Sequence, residues 1–147
     1  MLSLLLAATF SAQASAQIDL TSPASVVIPW LAANRDAIAA QAGCRVLERH
    51  GSLARVSLGG RDNLQVWVRE TTEPRQTAAR YTATLAGAHR KIKALRMETL
   101  VLGRADGGTS VYVSVRAEVY GLGERQAQEG IEAGMRRCEE AVRRVMR

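Results

Sequence analysis

Aromatic side chains are scarce in this sequence: Phe, Trp and Tyr make up 4% of its 147 residues, with a single Phe. A core must therefore rest on Val, Leu, Ile and Ala. Long apolar runs are missing too. The run from Leu2 to Phe10 is too short to span a bilayer, which takes about 20 residues. No His, Cys, Asp or Glu cluster has the spacing of a metal site, and neither a nucleophile elbow nor a phosphate-cradling loop occurs. The two histidines stand apart, His50 at the end of a predicted strand and His89 in a turn beside Arg90. Gly121-Leu122-Gly123 lacks the third glycine and the parallel crossover of a dinucleotide loop. Asp62, Glu70, Glu98 and Glu118 fall mostly on outward parities, where solvated charge is expected. The residues thus assign no catalytic group, no metal ligand and no cofactor. Internal repeats and low-complexity runs are also absent.

What is present is a globular composition with excess positive charge. Apolar residues make up 47%, the formal net charge is +6, and the pI is near 10.1. The basic residues are dispersed. Arg90, Lys91, Lys93 and Arg96 form one group, and Arg136, Arg137, Arg143, Arg144 and Arg147 another. Glu139 and Glu140 interleave the second group, as on a solvated helix face. No nucleic-acid module accompanies either group, so no nucleic-acid partner is expected.

The N-terminus reads as a secretory signal, with a buried N-terminal helix or strand as the alternative. Small and polar residues follow the apolar run and end in Ala14-Ser15-Ala16, an A-x-A cleavage pattern, although no Lys or Arg precedes the run. No Cys follows for a lipid anchor. The expected organisation is a signal peptide over 1–16 and one domain over 17–147, exported to the periplasm or secreted. Removing sixteen of the 147 residues leaves 131, enough for one core without staples.

Ile18 to Thr21 is a short strand candidate. Ser22 then suits an N-cap and Pro23 the first helical position. Pro29 removes the backbone bond to Ser25, so two short helices are expected, one toward Asn34 and one over Arg35 to Ala42. Gly43 suits the position past the second. From Cys44 the period becomes alternating. Strands are expected over Cys44–His50, Leu53–Leu58, Asn63–Thr71, Gln76–Leu85, Lys91–Leu102 (with a bulge near Lys93) and Thr109–Tyr120. Gly51-Ser52 and Gly59 to Asp62 are turns, Pro74 breaks the third run, and Asp106-Gly107-Gly108 is a hairpin signal. The last strand alternates most cleanly, with Val111, Val113, Val115, Ala117 and Val119 on one face. Trp67 falls on an outward parity beside Gln65 and Arg69, where its ring can pack on arginine stems. After Gly123 the period is helical again. Ala127, Ile131, Met135, Cys138, Val142 and Val145 form one stripe, with Gly130 and Gly134 allowing close approach to the sheet. The fold class is α+β: an antiparallel sheet of six to seven strands with a long C-terminal helix on its apolar face.

This element order resembles the START and polyketide-cyclase-like superfamily, SRPBCC, with its helix-grip fold. Ser22-Pro23-Ala24-Ser25-Val26-Val27 with Trp30-Leu31 is similar to the superfamily's opening of the first helix, and Thr109 to Val119 leading into a long helix is similar to its close. The resemblance covers nearly all of 17–147. It implies a curved sheet wrapped on the C-terminal helix, and between them a cavity that holds an apolar, lipid-like small molecule. The lining expected there is Val66, Val68, Tyr81, Ala83, Leu95, Met97, Val113, Val115, Ile131 and Met135, with Tyr81 as the one polar handle. Alternatives stay open: a filled core on a periplasmic interaction protein, or a cyclase- or dehydratase-like enzyme in the same cavity. Export and an even cysteine pair invite a Cys44–Cys138 disulfide. The resemblance adds that the short helices pack beneath the C-terminal half of the long one. Two buried free thiols are the alternative.

Overall fold

The computed structural model describes residues 9–58, 64–120 and 124–145. Seven strands form one antiparallel sheet in the order β1-β7-β6-β5-β4-β3-β2. They are β1 (Thr9–Leu20), β2 (Arg45–His50), β3 (Leu53–Ser57), β4 (Gln65–Pro74), β5 (Ala78–Leu85), β6 (Ile92–Gly103) and β7 (Thr109–Tyr120). Helix α1 (Ala24–Gln41) links β1 to β2, and helix α2 (Glu124–Val145) follows β7. This is the α+β, helix-grip arrangement: a curved sheet with a long C-terminal helix.

The last hairpin shows how local sequence builds the frame. Gly107 adopts φ +89°, the Arg104 amide donates to the Gly108 carbonyl at 2.8 Å, and Asp106 accepts from the Gly108 amide at 2.9 Å. A Cβ on Gly108 would stand 2.6 Å from the Leu20 carbonyl oxygen, so only glycine fits where β1 ends. Arg104 ties these ends together by donating to the Thr109 and Leu20 carbonyls at 2.8 and 3.1 Å. On β7 the inward residues from Val111 to Val119 are buried or half-buried, whereas Tyr112, Ser114 and Arg116 are exposed. The bulge expected near Lys93 is present as a register shift between Ile92 and Ala94.

Three local expectations are corrected. First, β1 is not a four-residue strand from Ile18. It starts at Thr9 and pairs with β7 over its full length, from Thr9 opposite Tyr120 to Leu20 opposite Thr109. It therefore crosses the boundary drawn at Gln17. Second, a single helix runs from Ala24 to Gln41 through Pro29. Both Pro29 and Ser25 are exposed, so the missing backbone bond leaves a carbonyl that water can reach. Pro23 rather than Ser22 stands at the N-cap, and the Ser22 carbonyl instead accepts from the Thr109 hydroxyl at 2.7 Å. Third, the helix glycines do not seat α2 on the sheet. A Cβ on Gly134 would stand 2.7 Å from the Ala42 carbonyl oxygen, so the close approach is to the end of α1, and Gly130 faces open space. The turn over Gly59 to Asp62 and the first residue of the third predicted strand lie outside the described residues.

The end of α1 follows the glycine pattern. Gly43 takes φ +94°, its amide donates to Ala40, and the Cys44 amide donates to Ala39 at 2.8 Å, which closes the helix with a Schellman pair. Helix α2 packs mainly along β1 and meets the C-terminal end of α1. Two apolar clusters result. One gathers Ile18, Leu20, Val27, Leu31, Ala79, Val101, Val111 and Val142; the other gathers Ala54, Val56, Val66, Val68, Ile92, Leu95 and Ala117. Burial on this scale stabilises at roughly 25 cal/mol per Å² of apolar surface, without large aromatic contributions.

Candidate functional site

Between α1 and the concave face of the sheet lies a cavity of about 140 Å³. Its apolar walls are Val46, Val56, Val68, Ala83 and Met97 from β2 to β6, with Ala39 from α1. Of the ten expected lining residues, Val68, Tyr81, Ala83 and Met97 line this space. Val66 and Leu95 are buried in the second cluster, and Met135 is buried on α2. Val113 is half-buried beside the first cluster, and Val115 and Ile131 beside the second. Among the described residues, none from α2 lines this particular space. The reason is the seat of α2 along β1, at the sheet's edge, which leaves α1 to cover the strands farther in.

Charged residues that the sequence reading did not select form one rim of this cavity. Arg49 of β2 donates from Nη1 and Nη2 to Asp36 of α1 at 2.9 and 3.0 Å, and from Nε and Nη2 to Glu70 of β4 at 2.7 and 3.1 Å. Arg35 of α1 lies 3.4 Å from Glu70, and its guanidinium carbon is 5.9 Å from the centroid of the Tyr81 ring. The Arg49 hydrogen bonds hold the Asp36 carboxyl below its ordinary range, with burial opposing; the same bonds raise Arg49. The network ties α1 to β2 and β4. Glu70 corrects the expectation of a solvated outward carboxylate: it shares the inward face of Val66 and Val68, and its side chain is only 17% exposed. Nothing local in the sequence pairs Arg35, Asp36 and Arg49, since their meeting depends on how α1 crosses the sheet.

Cys44 also lines the cavity. The expected bridge to Cys138 is not formed: both residues are free thiols. Burial raises the Cys44 pKa, with Arg137 opposing. Burial pushes Cys138 up to about 11, with Cys44 and Glu139 adding. Both thiols are thus protonated and poorly nucleophilic near neutral pH. Native protein at pH 8 is expected to react slowly with a disulfide reagent, whereas unfolded, unreduced protein should titrate two thiols. Finding none after unfolding would restore the bridge.

The other residues singled out from the sequence make contacts away from this space. His89 Nδ1 accepts from the Lys91 and Ile92 amides at 3.1 and 3.3 Å, and so closes a turn. Trp67 is partly exposed, its ring 6.2 Å from that of His50. On α2, Arg143 pairs with Glu139 at 3.0 Å, and Arg137 donates to the Gln41 and Ala42 carbonyls. Among the described residues, no three His, Cys, Asp or Glu gather as a metal would need, and no helix is long and apolar enough to cross a membrane.

By sequence, the chain matches no family model and no curated protein. By structure it is similar to many solved chains. A START superfamily protein from Mycobacterium smegmatis aligns over 90% of this chain and 98% of its own, at 12% identity and a TM-score of 0.61. The ZhuI aromatase/cyclase from Streptomyces sp. R1128 aligns over 93% and 96%, at 13% identity and a TM-score of 0.59. An uncharacterised protein from Rhizobium leguminosarum aligns over 93% and 97%, at 16% identity and a TM-score of 0.54. With alignments that run nearly end to end in both chains, a seven-stranded antiparallel sheet and a long closing helix, the chain has the START-like, SRPBCC-type helix-grip fold.

Proposed function

We propose that the protein binds a small apolar molecule in the cavity between α1 and the sheet. The observation that carries this reading is the cavity itself: about 140 Å³, with Val46, Val56, Val68, Ala83 and Met97 as walls. An apolar space near 150 Å³ takes up benzene, and drug-sized ligands need about 300 Å³ or more. A molecule of about one ring fits this space, which is open to solvent on its charged side. The fold shared with a START superfamily protein and an aromatase/cyclase supports the same reading.

Titrating isotope-labelled protein with toluene is the direct test. Saturable shifts are expected at the amides of Ala39, Ala83 and Met97, with little change at Tyr112 or Ser114 on the opposite face. Absence of saturable shifts at the cavity would overturn the proposal. Native mass spectrometry of freshly purified protein would then identify a natural occupant by its added mass.

A further inference from the structure

Arg35 differs from the other charged groups at the cavity rim. Arg49 donates hydrogen bonds to both Asp36 and Glu70. Arg35 instead sits at ion-pair distances, with Nη2 3.4 Å from Glu70 Oε2 and Nε 3.9 Å from Asp36 Oδ1. Both exceed the usual hydrogen-bond range. Its guanidinium lies over Tyr81, its side chain is 36% exposed, and it lines the cavity. Its planar set of donors is thus available to a bound molecule.

Charge balance selects what that molecule can bring. The two guanidiniums and two carboxylates at the rim cancel. A ligand carboxylate close enough to bond Arg35 would stand beside Glu70 and be repelled, and a ligand cation would meet Arg35 in the same way. A hydroxyl avoids both conflicts, because it accepts from a guanidinium and donates to a carboxylate at the same time. The Arg35–Glu70 gap is already wider than a direct hydrogen bond, so these two groups can each turn toward a shared oxygen. Resting on the cavity reading above, we infer that the ligand is a one-ring alcohol or phenol. Its hydroxyl bridges Arg35 and Glu70, and its ring packs on Val68, Ala83 and Met97.

The test compares toluene, benzyl alcohol and benzoate by the same amide-shift titration, on the natural chain and on Arg35→Met. Benzyl alcohol is expected to bind about fivefold tighter than toluene, the worth of one net hydrogen bond, and benzoate more weakly than the alcohol. Within Arg35→Met the alcohol's advantage over toluene should shrink, because only the bond to Glu70 is left. The ratio of the two affinities inside the variant is the readout, since Arg35 itself lines the cavity and its loss acts on both ligands. Benzoate binding tightest, no preference for the alcohol, or a preference undiminished in Arg35→Met would each overturn the inference. Toluene failing to bind at all would overturn the cavity reading instead, so the two failures are distinguishable. Toluene shifts in the variant also report that it folds; should it not fold, the ligand order on the natural chain decides alone.

Discussion

A chain shortened to begin at Gln17 is expected to lose cooperative folding or to melt far below the full chain. Cutting there removes residues 9–16 from β1, and with them the pairing from Thr9 opposite Tyr120 to Ala16 opposite Val113. An antiparallel ladder of that length holds about eight hydrogen bonds. At roughly 0.5–1.5 kcal/mol net each, their loss costs about 4–12 kcal/mol, comparable to the whole stability of a small domain. Fully buried Ala12 goes as well, and much of the β7 edge becomes unpaired. Gln128 of α2 also loses its grip on the strand, where its side chain accepts from the Gln13 amide at 2.9 Å and donates to the Gln13 carbonyl at 2.8 Å. A chain beginning at Thr9 keeps all of these contacts and is the control. Circular dichroism melts of both decide the matter, and an unchanged melt for the Gln17 chain would refute the role given to residues 9–16. Cleavage after Ala16 and the full-length strand make opposite demands on these residues. N-terminal sequencing from an exporting host is the matching measurement, and a well-folded product starting at Gln17 would support the leader.

The second large effect is expected from Val111→Asp. Val111 is fully buried, with Ile18 opposite on β1 and Val101 opposite on β6, both also fully buried. A carboxylate placed among them has no partner, and the expected loss near neutral pH is about 3–5 kcal/mol. Burial would raise the folded-state pKa of the new carboxyl above its unfolded value near 4. The folded chain then holds its proton over a range where the unfolded chain has lost it. Stability of the variant should therefore fall as pH rises from about 4 to that folded pKa, by up to about 1.4 kcal/mol per unit, and level off above it. Tyr112→Asp, one residue along on the exposed face, should cost less than about 1 kcal/mol at any of these pH values. Urea denaturation of both variants at pH 5 and pH 8 measures the contrast. Equal losses would mean that the inward face of β7 has been misassigned.

What the sequence determined by itself is what depends on neighbours along the chain. The alternation from Val111 to Val119 follows from the two-residue period of a strand, and the Asp106-Gly107-Gly108 turn and the Gly43 helix end follow from backbone conformations that glycine adopts without strain. The element order that pointed to the helix-grip fold was readable for the same reason. Residues 9–16 were not. Alternating Ala, Ser and Gln carry so little hydrophobic signal that they fit a leader as well as a strand, and pairing with β7, about a hundred residues away in sequence, makes them a strand. The Pro29 bond loss was legible, but the continuity of α1 was not, because it depends on which side of the helix faces water. Only tertiary structure decided where the cavity lies. Helix α2 settles along β1, α1 crosses the inner strands, and that crossing brings Arg35 and Asp36 to Arg49 and Glu70. Such a meeting is set by packing between elements far apart in sequence, and no periodicity in the chain encodes it.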